Sequence, residues 1–94
     1  MLIAFDTDGC LIDKDRKERI EVVTLLKALA GNDNYIIVWS GNGASNVKEV
    51  VERLNLSGYV NAIMDKTTDI QPDLTIDDKD ITLGKLNIKI VWTQ

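Results

Sequence analysis

Leu2-Ile3-Ala4-Phe5-Asp6-Thr7-Asp8-Gly9-Cys10-Leu11 is an apolar run that breaks into two acids and a glycine. Leu2 to Phe5 has the length and make-up of a buried strand, so Asp6 and Asp8 fall where that strand ends. Working outward, Tyr35 to Trp39 is a second apolar run, bounded by Asn34 and Ser40. It lacks polar alternation, which is the pattern of a strand covered on both faces in a parallel sheet. Between the two runs the spacing predicts a helix. Asp15 caps it and Glu18 completes a capping box; Ile20, Val23, Leu26 and Leu29-Ala30 share a face, and Gly31 ends it. After Gly41-Asn42-Gly43 a second amphipathic helix follows, its apolar stripe formed by Val47, Val50, Val51 and Leu54.

Further strands are expected at Tyr59 to Met64, Leu74 to Ile76 and Ile88 to Trp92, whereas Lys66 to Pro72 is too polar and short for a crossover helix. The order β-α-β-α-β implies an α/β fold with a mainly parallel sheet. The 94 residues leave room for one domain, spanning 1–94. A net charge of -4 argues against a dedicated nucleic-acid grip. It leaves room for a phosphorylated substrate, because a bound divalent cation reverses the local field. Cys10 is the lone cysteine and there is no histidine, so neither a disulfide nor a zinc cluster can form within the chain. No apolar run approaches the ~20 residues that cross a bilayer, and no basic segment precedes the first apolar run. The expectation is a soluble, cytoplasmic protein without membrane contact.

In an open α/β sheet, residues that follow parallel strands converge on the carboxyl edge, where ligands bind. Asp6 and Asp8 follow the first strand, Ser40 the second, and Asp77 and Asp78 the fourth. Carboxylates gathered at one edge repel unless a cation sits among them. Mg²⁺ takes oxygen ligands, commonly one or two carboxylates with water and substrate phosphate.

Ile3-Ala4-Phe5-Asp6-Thr7-Asp8-Gly9-Cys10-Leu11 resembles the first motif of the haloacid dehalogenase (HAD) superfamily, an apolar strand followed by D-x-D-G. Val38-Trp39-Ser40-Gly41-Asn42 resembles the second motif, Lys66 is placed like the third-motif lysine, and Leu74-Thr75-Ile76-Asp77-Asp78 resembles the fourth. The resemblance implies a three-layer Rossmann-like fold and a phosphatase working through an aspartyl-phosphate on Asp6. It implies Asp8 as general acid and then base, with Asp6, Asp8, Asp77 and Asp78 as the metal-binding set for Mg²⁺. Ser40, Asn42, the backbone amides near Thr7 and Gly41, and Lys66 would hold the phosphoryl oxygens.

Each residue also has a plainer reading. Asp6 alone at a strand end is usually a turn former, Asn42 suits the cap of the second helix, and Asp77-Asp78 suits a solvated loop. Lys79 lies close enough in sequence to compete with Lys66. Cys10 reads as a small buried residue.

Many members of the family carry a cap domain after the first motif or between the second and third. Here neither position has room for one, so the expected fold is minimal and capless. Such an open site suits a bulky phosphorylated substrate, such as a phosphorylated macromolecule or polynucleotide end, or a partner subunit that closes it. The Ile88 to Trp92 strand would serve a homo-oligomer if it lies at an exposed edge. Two other classes stay open: a non-catalytic phosphate-binding or regulatory module, and a receiver-like phosphoacceptor. Receivers usually place adjacent acids after the first strand, which this chain does not.

Overall fold

A computed structural model of the chain describes residues 1–91. In chain order the elements are β1 (Leu2–Asp6), α1 (Ile20–Ala30), β2 (Tyr35–Ser40), α2 (Ala44–Arg53), β3 (Ala62–Asp65), β4 (Leu74–Asp77) and β5 (Leu86–Lys89). The strands form one sheet in the order β3-β2-β1-β4-β5, and every neighbouring pair is parallel. This is the Rossmann-like α/β arrangement expected from the apolar runs.

The register decides where the core lies. Ile3 pairs with Ile36 and Leu74, and Phe5 with Val38 and Ile76, so these side chains stand on one face. Val22, Val23 and Leu26 of α1 and Val47 and Val51 of α2 pack on that face, giving one continuous apolar cluster. Burying each such side chain contributes roughly 1.5–3 kcal/mol. The opposite face is shallower. There Ala4, Ile37 and Trp39 are covered by Ile70 from the β3–β4 link and Leu83 from the β4–β5 link, with Leu2, Ala62 and Met64 alongside. Both helices therefore sit on one side, and the third layer is made of coil. No helix of the described residues is long and apolar enough to cross a membrane.

The entry to α1 differs from the expected capping box. The helix starts at Ile20, and its N-cap residue Arg19 makes no side-chain cap hydrogen bond. Asp13 is the residue that organises this stretch: its Oδ1 accepts from the amides of Asp15 at 2.8 Å and Lys17 at 2.9 Å. Glu18 is drawn into an antiparallel bridge with Ile12, which also bridges Asp8, so it has no helix to cap. The later start also turns the helix. Ile20 is 69% exposed and Val22 takes the buried position. Gly31 ends α1 in a right-handed conformation, and the left-handed residue of the turn is Asp33. At α2 the N-cap position belongs to Gly43 rather than Asn42.

Strand boundaries also shift. A turn in which the Tyr59 amide donates to the Leu56 carbonyl delays β3 to Ala62. β5 begins at Leu86 because Asn87 knots it in place. Asn87 Oδ1 accepts from Thr75 Oγ1 at 2.6 Å and the Gly84 amide at 2.9 Å, and its Nδ2 returns a bond to the Gly84 carbonyl. β5 is an edge strand with Leu86 and Ile88 exposed; the expected end of that strand, Trp92, lies outside the described residues.

Candidate functional site

Asp6, Ser40 and Asp77 are the last residues of β1, β2 and β4, and Lys66 immediately follows β3. Because all these strands are parallel, the four positions meet at one edge of the sheet. Lys66 Nζ lies 2.9 Å from Asp6 Oδ1 and 2.8 Å from Asp77 Oδ2, so it bridges acids delivered by two different strands. Its backbone amide donates to the Ser40 carbonyl at 3.0 Å, which ties the lysine to the end of β2. Lys79 is exposed; its amide donates to Asp77 Oδ1 at 3.0 Å. Of the two lysines, Lys66 is the one whose charge reaches the acids.

Oxygens of Asp6, Asp77 and Asp78 lie within 4.8 Å of one another. Asp78 Oδ1 is buried without a hydrogen-bond partner among the described residues, and Asp77 Oδ2, equally buried, has only its ion contact with Lys66. Gly9 makes this gathering feasible. At φ +82° it turns the chain under Asp78, and a Cβ there would fall on the Asp78 carboxylate.

Burial pushes the Asp6 carboxyl up to about 7, with Asp77 and Asp78 reinforcing the rise and Lys66 opposing it. For Lys66, burial works against the charged form, but its contacts with Asp77 and Asp6 outweigh that and raise its pKa. Burial also drives the Cys10 thiol well above its ordinary value. Cys10 is fully buried with Sγ 3.6 Å from the Ile76 carbonyl, a packing residue and not a nucleophile.

Asp8 points to a different set of neighbours. Its Oδ2 accepts from Ser40 Oγ at 3.2 Å, Asn42 Nδ2 at 3.0 Å and Asn46 Nδ2 at 2.9 Å. Its Oδ1 lies 3.7 Å from Arg16 Nη1. Ser40 Oγ in turn accepts the Asn42 amide at 2.9 Å, so Ser40, Asn42 and Asp8 form one polar knot at the end of β2. Thr7 is buried; its hydroxyl donates to the Trp39 carbonyl at 2.9 Å and its carbonyl collects the amides of Cys10, Leu11 and Ile12. Gly41 is exposed beside this knot.

The edge thus gathers Asp6, Asp77, Asp78 and Lys66 on one side and Asp8, Ser40 and Asn42 on the other. Sequence reasoning missed Asn46 and Arg16. Asn46 sits among ordinary helix-surface residues, and Arg16 adopts a left-handed φ of 62° that no residue type announced. The one available signal was position, since a polar residue in the first turn of a helix that follows a strand end lies near the same edge.

The set can hold a cation among hard oxygen donors and place a buried carboxylate beside a lysine. A family model described as haloacid dehalogenase-like hydrolase matches residues 3–83. Neither the curated proteins nor the solved structures gave a match.

Proposed function

The chain belongs to the haloacid dehalogenase-like hydrolases, and from that premise we propose that it is a magnesium-dependent phosphomonoester phosphatase with Asp6 as its nucleophile. The observation that carries this reading is the Lys66 bridge between Asp6 and Asp77 beside the unpartnered Asp78 Oδ1. Burying three acids against one lysine leaves net negative charge at the edge, and an unpaired buried oxygen calls for a cation. The residues fit magnesium because all the donors are oxygens. Asp6, Asp77 and Asp78 would hold it together with the backbone carbonyl of Asp8. When bound, the ion neutralises carboxylate and phosphoryl oxygens.

In this reading an Asp6 oxygen attacks phosphorus, and the bond from phosphorus to the leaving oxygen breaks. Asp8 gives its proton to that oxygen. Asp8 then takes a proton from water, which attacks the aspartyl-phosphate, frees inorganic phosphate and restores Asp6. Lys66, Ser40, Asn42 and the amides of Thr7 and Gly41 hold the phosphoryl oxygens meanwhile, and such preorganised donors supply most of what phosphoryl transfer needs. Thr7 to Arg19 link β1 to α1, and residues 54–61 link α2 to β3 between the second and third motifs; both are short, which supports a capless site. Selectivity then comes from a bulky phosphorylated substrate or from a partner subunit closing the edge.

Magnesium-dependent release of phosphate from an aryl phosphate, lost in Asp6→Asn, is the expected result. Equal activity in the two proteins overturns the nucleophile. Stoichiometric phosphate binding without turnover turns the reading to a regulatory phosphate-binding module.

A further inference from the structure

We propose that Asn46 is the positioning residue for Asp8: its side-chain amide fixes which oxygen of that carboxylate faces the leaving group. This inference rests on the phosphatase reading given above. Asn46 belongs to the first turn of α2, and its neighbours Val47 and Val50 are fully buried, so its backbone is anchored in the core. It does not cap its helix, since the N-cap position belongs to Gly43 and no side chain caps there.

The orientation of the Asn46 amide follows from its partners. Arg16 Nη2 lies 3.3 Å from Asn46 Oδ1, and a guanidinium only donates. Oδ1 is therefore the accepting end, and Nδ2 is turned to Asp8 Oδ2 at 2.9 Å. Arg16 is held in turn by Glu49 at 2.7 Å, one turn further along α2, and Glu49 by Arg53 at 2.8 Å. The chain Arg53–Glu49–Arg16–Asn46 thus ends on the proposed acid, with its last link a hydrogen bond to a carboxylate.

Ser40, Asn42 and Asn46 all donate to Oδ2. An oxygen of this kind has about two lone-pair directions, so Oδ2 is fully occupied. Oδ1, whose contact is the longer one to Arg16 Nη1 at 3.7 Å, is left as the oxygen that meets the leaving group. Of the three donors, Asn46 makes the shortest contact and is the only one mounted on a helix. In the proposed reaction Ser40 and Asn42 turn to the phosphoryl oxygens, so Asn46 is the donor that stays on Asp8. Removing it then frees the carboxylate to rotate, and a misplaced acid harms a poor leaving group far more than a good one.

The test compares kcat/KM for an alkyl phosphate and for nitrophenyl phosphate, with magnesium, in wild type, Asn46→Ala and Asn46→Leu. Asn46→Leu keeps much of the shape and adds no charge while removing the donor, so it serves if the alanine variant folds poorly. The expected result is a loss of roughly tenfold on the alkyl ester and no more than about twofold on the nitrophenyl ester. Equal losses on both esters, or none on either, overturn the positioning role. Wild-type protein inactive on both overturns the phosphatase reading and this inference with it.

Discussion

Gly9 lies directly beneath Asp78, at a left-handed φ of 82°, in space that only a residue without a side chain leaves open. Gly9→Ala therefore strains the backbone by roughly 1–2 kcal/mol and also displaces the Asp78 carboxylate. The expected outcome is a lower melting temperature together with weaker magnesium binding by calorimetric titration. Loss of stability with unchanged magnesium affinity would detach Gly9 from the metal set.

Lys66 bridges two acids whose side chains are 6% and 1% exposed. Lys66→Met leaves those charges facing each other, which destabilises the magnesium-free protein by about 3 kcal/mol. Magnesium should return part of that loss, since a cation supplies the missing positive charge. Urea unfolding with magnesium and with a chelator gives both values. A variant as stable as wild type under chelation would count against the bridge.

Asp73 accepts the Leu2 amide at 2.7 Å, and this bond, helped by Lys85, holds its carboxyl below the ordinary value. A lowered folded-state pKa contributes stability that is present above the unfolded value and lost as pH falls through the folded one. Asp73→Ala should thus lower the urea midpoint at neutral pH, and the gap to wild type should close in acid. A gap that persists at low pH would assign the effect to packing.

Ile20 and Val22 test the face of α1. Ile20→Glu replaces a side chain that is 69% exposed and places an acid in the first helical turn, so stability should stay within about 0.5 kcal/mol or rise slightly. Val22→Ala empties a buried position and should destabilise by about 1–3 kcal/mol in chemical unfolding. The reverse order would restore the helix face expected from spacing alone.

That contrast shows where the sequence was legible. Buried parallel strands announce themselves because both faces must be apolar, so Leu2–Asp6 and Tyr35–Ser40 were read almost to the residue. The strand-end acids followed, because parallel strands bring their carboxyl ends together. The start of α1 was misread because Asp15 and Glu18 satisfy a capping pattern locally. Asp13 engages the same backbone through an equally local turn, and the Ile12 bridge to Glu18 decides between the two in a way that spacing does not encode. The start of β5 was hidden for a similar reason, since the knot around Asn87 depends on Thr75, which lies on another strand. Asn46 escaped because its importance lies in what faces it.

The sheet's coil-covered side has a mechanical consequence. The link carrying Ile70 begins at Lys66, and the link carrying Leu83 begins at Asp78. The two segments that shield Trp39 are the same ones that begin with Lys66 and with Asp78 at the opposite end. With no helix to stiffen them, they are the natural unit of sub-global opening. Amide exchange in these links would then report on the edge that carries the strand-end acids, while the two-helix side should stay closed and slow.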